Sequence, residues 1–207
     1  MIQPDIRAQM RTLVRSRRHA LTTLEQTDAA LLLLNQLTSH NEFKRAKRLA
    51  VYLANDNELD LTPFIRWCWE EGKSVYLPVL HPFCPGNLLF LHYEEDTILV
   101  ENQYGIPEPK LNVSNLCPIQ HLDVLVTPLV AFDQSGARLG MGGGFYDRTL
   151  AHWYRNVTLH KKSTLHPIGV AHDCQLVDSI PTESWDIPIP EIITPTQIIS
   201  GMSSPSV

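Results

Sequence analysis

Short runs rich in β-branched and aliphatic residues recur along this chain, and several are separated by segments long enough for a helix. The runs are RLAVYLA at 48–54, SVYLPVL at 74–80, LLFLHY at 88–93, DVLVTPLVAF at 123–132, PIGVAH at 167–172 and EIIT at 191–194. Helical patterning covers 4–18, then 23–37 with leucines at 31–34, then LTPFIRWCWEEG, where Thr62 is the expected N-cap and Gly72 ends the helix. Such alternation specifies βαβ units, in which parallel strands are joined by helical crossovers. The expected fold is therefore α/β, with a mainly parallel sheet covered by helices on both faces.

The chain has 207 residues, 43% of them hydrophobic and 19% charged, enough to bury the core of one domain. That domain is expected over residues 1–199, with SGMSSPSV at 200–207 as a frayed polar tail. Arg7, Arg11, Arg15, Arg17 and Arg18 interrupt the first segment, so it does not read as a secretory signal. No stretch approaches the roughly 20 apolar residues of a membrane span. A cytoplasmic monomer is the expectation. Cys68, Cys84, Cys117 and Cys174 form no CxxC pair, which points away from a zinc knuckle or a disulfide framework. The formal charge of −5 argues against broad nucleic-acid binding, so any anion site must be local.

The local candidate is RLGMGGGFYDRTL at 138–150. It holds Gly140, Gly142, Gly143 and Gly144 within five residues, and five of the ten glycines of the chain fall between 136 and 144. The stretch follows the run at 123–132 and a turn at DQSGA, and it leads into a helix expected over 145–153. Glycines at such a place let the backbone approach an anion, while N–H groups at the helix start supply donors. A lone glycine more often serves a tight turn, but the clustering beside Arg138 favours a phosphate loop. The pattern is not GxxxxGK[ST], and it lies too late in the chain for a Rossmann fingerprint. Asp147, in the first turn of the helix, either complements the helix dipole or holds Mg²⁺ beside a polyphosphate. Arg7, Arg11, Arg15 and Arg18 recur at spacings of four, four and three, and so share one helix face. That face is either solvated or a row of guanidiniums reaching phosphates across a cleft.

The stretch VLVTPLVAFDQSGARLGMGGGFYDRTL resembles the signature of the 5-formyltetrahydrofolate cyclo-ligase family. The likeness extends to RRHALT, VYLANDNELD, GKSVYLPV, YGIPEP and PTESWDIPIPEIIT, which together span nearly the whole chain. The resemblance implies a three-layer α/β/α sandwich and an ATP- and Mg²⁺-dependent conversion of 5-formyltetrahydrofolate to 5,10-methenyltetrahydrofolate, with release of ADP and phosphate. By position it implies that Arg7 and Arg11 contact ATP together with Arg138, Leu139, Gly140, Met141, Gly142, Gly143, Gly144, Phe145 and Tyr146. It implies that Leu53, Glu58 and the loop from Met141 to Phe145 adjoin the folate. Asp147 and Asp186 match the magnesium positions, and Arg138 and Tyr146 are the candidate catalytic side chains. Many relatives carry Lys where this chain has Arg7, and some carry Lys or Arg where it has Gly143. Phosphate contacts here are accordingly expected to rely on backbone N–H groups and Arg138.

The implied chemistry needs little from the protein beyond positioning. An amide oxygen is a poor leaving group, and transfer of the γ-phosphoryl group to it turns it into phosphate, which N10 can displace. No strong protein nucleophile is required, and no Ser-His-Asp or Cys-His constellation is evident. The nine histidines show neither HxH nor HExxH spacing. Trp67 and Trp69 are expected to pack on a helix face, whereas Phe145 and Tyr146 are better sited to stack on a pterin. Two other functions would keep the anion loop: a non-catalytic folate- or nucleotide-binding regulator, and an enzyme resembling sugar-phosphate isomerases.

Overall fold

The computed structural model describes residues 5–160 and 163–201. Helices α1 (Ile6–His19), α2 (Thr23–Ser39) and α3 (Asn41–Arg45) precede β1 (Arg48–Ala50), and α4 (Thr62–Glu70) connects β1 to β2 (Ser74–Leu80). Then follow β3 (Leu88–Tyr93), β4 (Leu99–Glu101), β5 (Pro107–Pro109), β6 (Leu116–Cys117), β7 (Val124–Pro128), β8 (Ala131–Phe132) and β9 (Arg138–Leu139). Helix α5 (Phe145–His160) leads to β10 (His166–Val170), β11 (Glu191–Ile193) and β12 (Ile198–Ser200). Eight strands form one sheet in the order β12-β11-β10-β7-β1-β2-β3-β6. The five central strands, β11 through β2, are mutually parallel, and the flanking strands β12, β3 and β6 pair antiparallel.

The parallel strands are buried on both faces, which is why they read as continuous apolar runs. Leu49, Val51, Val124, Val126, Ile168 and Val170 pack on one side against Leu33 and Leu37 of α2, Phe43 of α3, and Phe64 and Cys68 of α4. Ala50, Leu125 and Ile192 point the other way, toward Leu150, Trp153 and Tyr154 of α5. The result is the α/β/α sandwich expected. Trp67 stacks on Phe64 and Trp69 packs on Tyr93, so both tryptophans cover the core and lie on a helix face. All four cysteines are free.

Several boundaries differ from the sequence reading. The β1 ladder stops at Ala50, and beyond the bond from Val51 N–H to the Tyr76 carbonyl the chain leaves the sheet toward the site. The run at 123–132 splits at Pro128 into β7 and β8, the latter in a separate hairpin with β9. LLFLHY does form β3, but the seven residues before it are too few for a crossover, and it folds back antiparallel on β2. Thr62 is the first residue of α4, not its cap. Leu61 takes the cap position without a side-chain bond, while Asp60 Oδ1 accepts from both the N–H and the hydroxyl of Thr62. Helix α5 runs on to His160.

Of the segment at 200–207, Ser200 closes β12 and Gly201 is buried; residues 202–207 lie outside those described. Gly136 has φ +81 and lies against Gly201, so an added Cβ there would meet backbone as well as being conformationally strained. Gly136→Ala is expected to destabilise the fold by roughly 1–3 kcal/mol, the scale of a strained φ/ψ, by levering apart the hairpin and the last strand. Urea denaturation checks this; an unchanged midpoint would show that the contact is not constraining.

Candidate functional site

Because the parallel strands are sealed on both faces, only the loops at their carboxyl ends are free to build a site. Helix α1 lies across those ends. Asp5 caps it through a bond from Arg7 N–H, and Val14 seats it on Val130, Ala131, Leu139 and Ile180. Between α1, the glycine loop and the start of α5 lies a cavity of about 710 Å³, lined by Arg7, Arg11, Arg138, Asp147, Arg148 and Asp186 together with Gly140, Gly142 and Gly144. That is room for a nucleotide-sized ligand. Gly142 and Gly144 have φ +97 and +63, the left-handed conformations that turn successive N–H groups into an anion nest.

Within this cavity the cations are held by oxygen partners. Arg7 forks onto Asp186 at 2.8 and 2.9 Å, and Arg11 Nε donates to the Gly140 carbonyl at 2.8 Å. Arg138 is nearly buried and donates to Asp147 Oδ1 at 2.7 Å, an oxygen that also accepts from Ile187 N–H. Burial pushes the Asp186 carboxyl upward, but the Arg7 hydrogen bond, the bond from Glu183 N–H and the charges of Arg7 and Arg138 together leave it below the usual carboxylate range. Asp147 and Asp186 therefore line the same pocket. Among the described residues no three His, Cys, Asp or Glu side chains are grouped to hold a metal ion. The donor set still fits Mg²⁺, which characteristically takes one or two carboxylates and completes its shell with phosphate oxygens and water.

The remaining members of the loop divide by exposure. Met141 is 54% exposed, whereas the side chain of Leu139 is fully buried in the small core beneath α1, and its carbonyl accepts from Val130 N–H. The Leu139 side chain thus anchors the loop. Phe145 meets Tyr104 edge-on at 5.9 Å, and Arg148 sits over its ring. Gly143 gives its carbonyl to Arg148, and a Cβ on it would press on the Phe145 ring. Arg148 also reaches the Gly86 carbonyl at 2.9 Å and so ties the glycine loop to the turn before β3. Arg148 and Trp185 were not singled out in the sequence: the first reads as an ordinary helix-surface residue, the second as part of a Pro-rich loop. The signal for Arg148 was available in its spacing, one helical turn after Gly144.

Leu53 and Glu58 lie in the loop that leaves the end of β1. Leu53 packs partly against the core, and Glu58 Oε2 accepts from Asn55 N–H at 3.2 Å. Burial raises the Glu58 carboxyl to about 7, with Arg18 pulling it down and Asp56 pushing it up. Tyr146 is raised well above the usual phenol range, first by burial and then by the Glu58 charge. Of the arginine row, Arg15 and Arg18 do not reach the phosphate cavity. Both bind Asp56, beside Glu58, together with His19.

Fold and site together define an α/β/α enzyme with a basic, glycine-lined cavity at the strand ends, suited to an anionic ligand. Over residues 4–195 the sequence matches the 5-formyltetrahydrofolate cyclo-ligase family, and the chain belongs to that family. It is 50% identical over 186 residues to the Escherichia coli K12 5-formyltetrahydrofolate cyclo-ligase, covering 90% of this chain and 98% of that protein. The Haemophilus influenzae cyclo-ligase is 46% identical over 187 residues, covering 90% and 96%. The solved Aquifex aeolicus 5,10-methenyltetrahydrofolate synthetase superposes with a TM-score of 0.79 at 27% identity, over 98% of this chain and 96% of that one.

The raised Glu58 carboxyl has a consequence for stability. Its folded value of about 7 exceeds the ordinary 4.5, so the native state binds more protons than the unfolded state between those values. Stability from this group is therefore present below pH 4.5 and is lost as pH rises through 7. Glu58→Gln removes the ionising group, and is expected to raise the melting temperature at pH 8 and to change it little at pH 4.5. Calorimetry at the two pH values checks this, and an equal change at both would mean the carboxylate is not strained by burial.

Proposed function

We propose that this enzyme converts 5-formyltetrahydrofolate to 5,10-methenyltetrahydrofolate with consumption of ATP. The observation that carries the reading is the cavity lined by Arg7, Arg11 and Arg138 beside the positive-φ glycines, with Glu58, a carboxyl raised by burial, in the loop after β1. The cavity suits a triphosphate, by guanidinium forks and backbone N–H donors. Glu58 suits the amino and ring N–H groups of a reduced pterin, which a carboxylate accepts and a phosphate cannot offer. Phe145 and Met141, in the glycine loop, would adjoin the folate.

In this reading the formyl oxygen attacks the γ-phosphorus, and ADP departs with the electrons of the bridging bond. N10 then attacks the activated carbon and loses its proton, and the C–O bond breaks to release phosphate and leave the methenyl bridge. Arg7, Arg11 and Arg138 hold the phosphates in line and offset the charge that spreads over them. Asp147 and Asp186 would hold Mg²⁺, which supplies further neutralisation of phosphate charge. The arginine and aspartate partners in the cavity can be redistributed, guanidiniums to phosphate and carboxylates to metal. Tyr146, un-ionised at neutral pH, can donate a hydrogen bond while shielding the site from water. A regulator without turnover, or an isomerase with no use for ATP, is the outcome to which a negative assay would point.

The assay is the rise in methenyltetrahydrofolate absorbance. Turnover is expected only with ATP and divalent metal together, and EDTA should abolish it until Mg²⁺ is restored in excess. Product without ATP would exclude the ligase reading, and full turnover in metal-free buffer would exclude the role given to Asp147 and Asp186.

Folate affinity should also depend on pH. If the ionised Glu58 is the pterin anchor, its protonation below about 7 removes the acceptor. Binding should then weaken toward tenfold per pH unit, the limit for a single required ionisation. Titration calorimetry from pH 8 to 5.5 checks this, with Glu58→Gln as the reference. That variant should bind folate about 10- to 150-fold more weakly at pH 8, the loss of one charge-assisted hydrogen bond. It should also lose the pH dependence; a flat wild-type profile counts against the anchor.

A further inference from the structure

The densest ion cluster of the molecule lies outside the phosphate cavity. Asp56 accepts from Arg15 Nε at 2.8 Å and Nη2 at 3.0 Å, from Arg18 Nη2 at 2.5 Å, and bonds His19 Nε2 at 2.7 Å. Three side chains of α1 thus converge on one carboxylate, which the Arg15 hydrogen bond above all holds down at about 2. Arg18 is 1% exposed, a burial that a guanidinium tolerates only with a fixed partner. Asp56 and Asn57 have φ +51 and +57, left-handed values that Asp and Asn tolerate better than other side chains but that still favour a turn fixed by its contacts. Such backbone persists where surrounding contacts hold it, and it is enriched at functional sites. From below, buried His172 meets the backbone of Asn57; burial holds its imidazole down at about 4, and it is neutral.

The next residue is Glu58. The same helix is seated at its other end on the nucleotide cavity, by Arg7 on Asp186 and Arg11 on the Gly140 carbonyl. We propose that Asp56 is a positioning residue: through Arg15, Arg18 and His19 it pins the left-handed turn that aims Glu58 at the folate, while Arg7 and Arg11 hold the other end of α1 independently of it. A helix serving only as a lid over the core would need Val14 and no bent turn beyond it. A solvated basic face would leave Arg15 and Arg18 without a shared acceptor. The row spaced four, four and three instead has its four members committed to three points: Asp186, the Gly140 carbonyl and, for Arg15 and Arg18 together, Asp56.

This inference rests on the reading of Glu58 as the folate anchor, and the experiment separates the two. Asp56→Asn, Glu58→Gln and the double variant are titrated by calorimetry with 5-formyltetrahydrofolate and, separately, with the non-hydrolysable analogue of ATP. Asp56→Asn is expected to weaken folate binding about tenfold, the scale of losing the alignment of one charged hydrogen bond, with nucleotide affinity within about twofold of wild type. The double variant should bind folate no worse than Glu58→Gln alone, since a residue acting through Glu58 has nothing left to act on. Additive losses, or an equal loss for the nucleotide, would mark Asp56 as a general stability element and overturn the proposal. No effect of Glu58→Gln on folate overturns the anchor reading and this inference with it, whereas an effect there but none for Asp56→Asn overturns the inference alone. Should Asp56→Asn fail to fold, Arg15→Gln, at a half-exposed position, is expected to show the same selective loss at about threefold, and unchanged folate affinity in it would be equally decisive.

Discussion

Everything about the site follows from the parallel core of five strands being sealed on both faces. Leu49 and Val51 face one helical layer and Ala50 the other, and the same alternation runs through β7, β10 and β11. No ligand can reach the sheet from above or below, so chemistry is confined to the carboxyl edge. There β1 gives out into Leu53 and Glu58, β7 into the hairpin that carries Arg138, and β10 into His172. Each strand is too short to vary its own exit, so the site is assembled from loops whose roots are fixed to within a packed core.

What the edge lacks is rigidity, and α1 supplies it with charge. In a chain of formal charge −5, four arginines on one helix face are all committed to oxygen partners: Asp186, the Gly140 carbonyl and, twice, Asp56. Pairs of this kind contribute little to stability when exposed. Their effect here is directional. A guanidinium fork fixes both its own plane and that of the carboxylate, and so fixes the loops relative to α1. The same pairs keep the cavity from being a concentrated positive charge.

Much of the fold was legible because its signals are local. β2 and β3 fall on the runs read from sequence, since six or seven β-rich residues bounded by turn residues admit little else. Their relative direction was not legible, because an antiparallel return depends on the length of the intervening turn and not on the strand itself. Thr62 was misread as a cap for a similar reason: Asp60, two residues earlier, competes for its N–H and hydroxyl. In the site, Gly140, Gly142, Gly144, Arg7, Arg11, Arg138 and Asp147 could be picked out by residue type and spacing, and Asp186 by the family resemblance, and they do line one cavity. The destination of Arg15 and Arg18 could not, since nothing in helical periodicity says whether a basic face meets phosphate or a carboxylate 38 or 41 residues away.

The carboxylates of the site divide by environment into two sorts, and the division follows function. Asp56 and Asp186, bound by arginine forks, lie below the usual range and are permanently charged; Glu58, buried with a backbone N–H as its hydrogen-bond donor, is poised near 7. Permanent charge suits a strut or a metal ligand, whose geometry must not depend on pH. A poised carboxyl is costly to keep charged, and in the reading of Glu58 as the folate anchor that cost is recovered only when the N–H donors of a ligand arrive. Glu58 is therefore a place where the fold gives up stability, and in that reading the turn at Asp56 and Asn57 is what holds the carboxyl where a ligand can repay it.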